Sequence, residues 1–277
     1  MPIPKFTEKW EDTKKGIGKT TISFDSKHLI APTEVSKVSV IFSNVQNLEN
    51  RKSKFLEKID SKVEIQMGSA LNPIDFYIEI LLGHLKKGEL AKCFIKTSAM
   101  EITFNIKIIE IENVKHLFDL KLKEIFELAK VYKANGVEMY KKYPKFAEDY
   151  FCKGAKLMLS CKPFDHLTEK DDGVEGKDFL NSFLISTITL QLIRDGKFED
   201  VVYLTQSVEE SVENASEKAV FRRALALCNL QKHEEAKNIL DQFPNKNNEM
   251  LKLYKRIQSE WKVSDEKYAN MVRKMFK

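Results

Sequence analysis

Hydrophobic and polar positions follow two different periods along this chain, and the change falls near residue 115. Ahead of it, Val38-Ser39-Val40-Ile41-Phe42 begins an apolar–polar alternation, and Lys62-Val63-Glu64-Ile65-Gln66-Met67 alternates cleanly. Cys93-Phe94-Ile95 and the run from Ile102 to Ile108 keep the same period of two, as strands with one buried face do. Phe76 to Leu85 instead has helical spacing and is closed by Lys86-Lys87-Gly88. The expected architecture is an α+β unit, an antiparallel sheet carrying one helix.

Beyond residue 115 the period is helical almost throughout. Helices are expected over Leu120–Tyr143, Phe146–Ser160, Phe179–Arg194, Glu199–Val212, Glu217–Leu230, Glu234–Phe243 and Asn247–Phe276, with a polar segment at Lys162–Gly176. Short breaks such as Asp195-Gly196-Lys197 pair the helices into an array. Gly136, Met139 and Tyr140, followed by Ala147, Phe151 and Gly154, have the small–large–small spacing of two closely packed antiparallel helices. Leu192, Gly196 and Phe198 repeat part of this pattern, as do Phe221, Ala224, Leu227 and Ala236. The pattern resembles three tetratricopeptide (TPR) repeats closed by a terminal capping helix; a generic helical bundle is the plainer alternative. The expected divisions are 1–30, an N-terminal extension with the first strand; 31–115, the α+β domain; and 116–277, the helical array.

Composition excludes more than it identifies. The 277 residues carry 46 Lys+Arg against 41 Asp+Glu, a net charge of +5, too small an excess to imply a nucleic-acid or membrane partner. No apolar run approaches the ~18 residues of a membrane span, and Met1-Pro2-Ile3-Pro4-Lys5 has no signal-peptide core. Cys93, Cys152, Cys161 and Cys228 form no C-x-x-C pair, so neither a zinc site nor a disulfide framework is indicated, and a reduced, cytoplasmic protein is expected. Gly18-Lys19-Thr20 imitates the end of a P-loop, but Thr13 stands where the first glycine is required. His28, His84, His116, His166 and His233 have no metal spacing and no nucleophile partner, and Asp195, Asp200 and Glu209-Glu210 read as solvated helix faces. No catalytic residue, metal or cofactor is expected.

Longer motifs carry a more specific resemblance. Glu217-Lys218-Ala219-Val220-Phe221-Arg222-Arg223-Ala224 resembles the third-repeat opening E-K-(A/G)-x-(F/Y)-R-R-(G/A) of the large FKBP immunophilins. Tyr268-Ala269-Asn270-Met271 resembles the Y-A-N-M of their terminal helix, and Lys133-Ala134-Asn135-Gly136 lies where their first repeat reads K-E-x-G. The strands around Val38, Val63 and Ile102, with the helix and turn from Ile78 to Glu89, then resemble a diverged FKBP domain. FKBP prolyl isomerases work through an apolar, aromatic-lined pocket rather than covalent chemistry. On this resemblance Ile78 replaces the tryptophan of the pocket floor and Phe42 replaces the strand tyrosine. Phe55-Leu56 replaces the F-D pair, and only Thr97-Ser98-Ala99-Met100 stands where a long pocket loop is expected. The domain is therefore expected to be noncatalytic.

The same resemblance implies a peptide clamp in the TPR groove, where cations grip the acidic C-terminal tail of a heat-shock chaperone. Lys133, Lys218 and Arg222 keep the charged positions, while Val137 and Thr187 stand where the family places asparagines. The final helix, with Trp261, Val263, Tyr268, Met271, Met275 and Phe276 among basic residues, is expected to cap the array, its far end from Met271 free to project or to serve a homodimer. The implied function is a noncatalytic protein-binding adaptor. Resemblance to a noncanonical branch of the family implies a protein kinase of the casein-kinase type as partner, in the circadian clock. A chaperone-recruiting cochaperone and a weak prolyl isomerase are the competing readings.

Overall fold

The computed structural model describes residues 8–25, 29–98, 100–161, 187–206, 208, 212 and 215–275. Contacts divide the chain into two compact units, Met1–Cys161 and Lys162–Lys277.

In the first unit, six strands form one antiparallel sheet: β1 (Lys9–Asp12), β2 (Ile17–Phe24), β3 (Lys37–Gln46), β4 (Lys62–Gln66), β5 (Glu89–Thr97) and β6 (Met100–Glu112). Their order across the sheet is β1-β2-β5-β6-β3-β4. The N-terminal region thus contributes two strands where the sequence pattern indicates one. β5 and β6 join through a tight hairpin in which Thr97 pairs with Met100, as the short connection there implies. Helix α1 (Pro73–Gly83) starts three residues earlier than its apolar period. Asn72 caps it by accepting the Asp75 N–H, and Pro73 opens the first turn, where no N–H is needed. α1 touches β2 and β5, and Ile78, Leu81 and Leu82 are fully buried, as are Val38, Val40, Phe42, Ile106 and Ile108 of the sheet.

The first helical pair belongs to this unit. Helices α2 (Leu122–Tyr140) and α3 (Pro144–Leu159) pack so closely that a Cβ on Gly136 would lie 2.5 Å from the Phe151 ring. The Phe146 and Tyr150 rings of α3 stand edge-on to Phe76 of α1, with centroids 5.1 and 5.4 Å away. The compact boundary therefore follows Cys161 rather than the change of period at residue 115.

In the second unit, residues 187–194 are helical and end in a turn through Gly196, whose φ of +72° suits glycine. α4 (Phe198–Leu204), α5 (Glu217–Asn229), α6 (His233–Gln242) and α7 (Asn248–Met275) follow. Leu227, Ala236, Leu240, Met250, Leu253 and Ile257 form the heart of one apolar cluster. α4 stops well before Val212, the end that periodicity suggests. Thr205 turns its hydroxyl back onto the Val201 carbonyl at 2.6 Å, and Arg223 of α5 donates to the Val202 carbonyl at 2.5 Å, so the helix end is satisfied from a neighbouring element. The polar segment 162–176, the start of the helix expected from Phe179, Glu209-Glu210 and Phe276 lie outside the described residues.

Candidate partner-binding surfaces

Both residues matched to the isomerase pocket lie in the core of the sheet domain. Phe42 and Ile78 are each 0 % exposed, and Phe42 stands edge-on to Phe104 at 6.2 Å. Phe55 and Leu56 are also buried. Their loop is pinned to α1 by the Asp75 carboxylate, which accepts from the Ser53 hydroxyl at 2.5 Å and the Lys54 N–H at 3.0 Å. An open cleft of about 490 Å³ lies beside this loop, with Arg51, Tyr77, Thr97, Met100 and Phe146 in its lining.

The clamp residues divide between the two units. Lys133 and Val137 are one turn apart on α2 of the first, and Val137 is 61 % exposed. In the second unit, Lys218 is exposed and Arg222 half-buried, one turn apart on α5. The Arg222 guanidinium donates to the Thr189 hydroxyl at 3.0 Å, on the helical stretch that also carries buried Thr187. The second unit thus brings Lys218, Arg222 and the Thr187 helix into one neighbourhood. On α7, only the first half caps the array: Met250, Leu253 and Ile257 are buried, whereas Val263, Tyr268, Met271 and Met275 are exposed.

Sequence reasoning missed a polar interlock inside the first unit. Glu79 of α1 is buried and accepts from the backbone N–H groups of Gly68, Ser69 and Ala70 at 3.1, 2.8 and 2.8 Å. The opposite side of that loop is held by the helical pair. Asn135 donates to the Gly68 carbonyl at 2.6 Å and the Tyr150 hydroxyl to the Ala70 carbonyl at 2.8 Å. Gly68 has a φ of +83°, and a Cβ there would lie 2.8 Å from the Tyr132 ring, so the loop requires glycine at this position. Lys153 of α3 lies over the rings of Phe76, Tyr132 and Tyr150. Burial pushes the Glu79 carboxyl up to about 7, against the opposing pull of Lys153 and the three N–H donors. In sequence only the neighbouring Gly136 was marked out, through its helix-packing motif.

The P-loop-like triplet is structural. Lys19 is buried on β2 with its ammonium 2.5 Å from a Glu89 carboxylate oxygen, which also accepts from the Thr21 hydroxyl at 2.6 Å. His84 stacks on Trp10 with ring centroids 3.7 Å apart.

No helix among the described residues is long and apolar enough to cross a membrane. Residues 10–113 match the family profile described as BDBT FKBP like N-terminal, and residues 121–203 match that of the Bride of doubletime-like TPR domain. Protein Bride of doubletime of Drosophila melanogaster is 36% identical over 278 residues, spanning 96% of this chain and 97% of that protein. A crystal structure of residues 1–211 of CG17282 aligns with a TM-score of 0.61 at 33% identity, over 68% of this chain and 96% of that one. On this identity and coverage, with an FKBP-like sheet domain leading into TPR helices, the chain belongs to the Bride of doubletime family.

Proposed function

We propose that this chain is a noncatalytic FKBP–TPR adaptor that binds a protein partner and promotes that partner's function in the cytoplasm. The observation that carries the noncatalytic half is the complete burial of Phe42 and Ile78. A prolyl substrate needs an open apolar pocket in which its amide loses conjugation, and side chains at 0 % exposure offer no such surface. The adaptor half rests on family membership and on the TPR array, an architecture whose surfaces serve protein recognition. The partner we propose, on the family resemblance, is a casein-kinase-type Ser/Thr kinase of the circadian clock.

A cochaperone reading is favoured by one observation, the exposed Lys218 one turn from Arg222. Against it, Val137 offers no hydrogen bond to a peptide, and an unpaired, desolvated carboxylate or amide costs ~1–3 kcal/mol.

Affinity capture from native extract, with the wild type beside a Lys218→Glu/Arg222→Glu variant, separates the two. The adaptor reading expects the kinase to be captured equally by both. A heat-shock chaperone captured by the wild type and lost in the variant would establish the cochaperone instead. Inhibitor-sensitive cis–trans conversion of a proline peptide would overturn the noncatalytic assignment.

A further inference from the structure

We propose that Cys228, His233 and Glu260 form a binding site for a zinc-class divalent cation that ties the last repeat to the terminal helix. Cys228 lies at the end of α5, His233 opens α6 and Glu260 lies on α7, all within the second unit. The α5–α6 turn makes the first juxtaposition. Gln231 adopts a left-handed φ of +62°, and the Gln231 and Lys232 N–H groups donate to the Cys228 and Leu227 carbonyls at 3.0 and 2.9 Å. The thiol donates to Oε2 of Glu260 at 3.4 Å, and one donor atom from each of the three residues lies within 4.8 Å of the others.

A second observation concerns the imidazole itself. His233 is 94% buried, at 6 % relative exposure, and its Nδ1 has no hydrogen-bond partner. A buried imidazole nitrogen left unpaired costs ~1–3 kcal/mol, and a metal ion removes that cost by taking its lone pair. The rest of the setting suits a ligand set. Oε1 of Glu260 accepts from Arg256 Nε at 2.7 Å, and Arg256 in turn donates to the Asn229 side chain at 3.3 Å. The carboxylate is thereby oriented from outside with Oε2 left towards the thiol, as supporting hydrogen bonds orient metal ligands elsewhere.

Chemistry selects the cation. A thiolate, an imidazole and a carboxylate suit zinc rather than magnesium or calcium, which take oxygen ligands. Thiolate and carboxylate together neutralise a doubly charged ion, and the thiol proton leaves to solvent on binding. Donor atoms in a tetrahedral zinc site stand about 3.5 Å apart, the spacing the thiol and carboxylate already have, and the imidazole has to close in on them from within 4.8 Å. A cleft of about 380 Å³ bordered by His233, Glu260, Ser259, Ser264 and Lys267 gives an entry path and room for water as fourth ligand. The exposed Lys267 ammonium borders this cleft, and the Arg256 guanidinium on Oε1 of Glu260 is a second positive charge beside the site. The sequence conceals the site because its ligands come from three helices at no recognisable spacing.

The test uses the full chain, stripped with chelator and titrated with zinc by calorimetry, then with cobalt by absorption. One zinc per chain, a thiolate-to-cobalt charge-transfer band and a raised unfolding temperature are expected. Cys228→Ser and Glu260→Gln should each weaken zinc at least tenfold. Cys228→Ser should abolish the band, while Cys152→Ser, at an exposed thiol, should leave it intact. Cys228→Ser is near-isosteric and Glu260 is half-exposed, so both variants are readable as folded proteins. Zinc binding no tighter than in the Cys228→Ser/Glu260→Gln double variant, or a band that survives Cys228→Ser, overturns the proposal.

Discussion

At the scale of single residues, Glu79 is where opposing physical effects meet most closely. Three backbone N–H groups and the Lys153 ammonium favour its charged form, and removal from water disfavours it. Burial wins, and the carboxyl rises from 4.5 to about 7. The native protein therefore holds a proton that the unfolded chain has released. That contribution to stability is complete below about pH 4.5 and is lost as pH rises through 7, amounting to at most ~3 kcal/mol. Glu79→Gln removes the titration. It also turns an amide N–H towards the Gly68 N–H, which leaves a buried donor unpaired at ~1–3 kcal/mol. Urea unfolding across pH 4.5–8 should show the wild type losing stability relative to Glu79→Gln as pH rises, by up to ~3 kcal/mol. A constant difference over that range would mean that Glu79 is ionised throughout.

At the scale of elements, the approach of α2 to α3 depends on Gly136. An added methyl group would lie 2.5 and 2.7 Å from two carbons of the Phe151 ring, and that ring is itself buried. Gly136→Ala should cost ~1–3 kcal/mol by overpacking, well beyond the helix propensity it gains. Gly83, at the end of α1, has nothing within 4 Å of the corresponding position, so Gly83→Ala should stabilise by ~0.5–1 kcal/mol. Thermal unfolding of the two variants should thus shift in opposite directions, and a like-signed pair would refute the packing argument. The Gly136–Phe151 contact was legible in sequence because helical spacing is local information. So were β3, β4 and β6, whose alternation records one buried face. β2 was less legible. Lys19 breaks its apolar pattern, and the partner that permits its burial, Glu89, is 70 residues away. The start of α1 lay hidden in Asn72-Pro73, which are capping rather than apolar signals. The positions proposed for a clamp rest on motif matches alone, whereas the Glu79 cradle depends on a loop and two helices that only the fold assembles.

At the scale of the whole molecule, the first compact unit runs past the sheet domain to Cys161, so the first TPR pair is part of what stabilises the FKBP-like fold. A fragment ending at Lys115 would retain all six strands and α1. It would lose the donors to the Gly68 and Ala70 carbonyls, the aromatic cover over Phe76, and Lys153 beside Glu79. Each lost hydrogen bond is worth ~1 kcal/mol net, and re-exposing a phenylalanine ~1.5–3 kcal/mol. Residues 1–161 should therefore unfold in one cooperative step and resist urea by roughly 3–5 kcal/mol more than residues 1–115. Tyr150→Phe in the longer fragment removes one of these bonds without disturbing the ring contacts, and should recover ~1 kcal/mol of the difference. Equal stability of the two fragments would make the helical pair a passenger on the sheet domain. The expected difference instead makes the sheet domain and its first repeat a single folding unit, in which a ligand on either part would stabilise both.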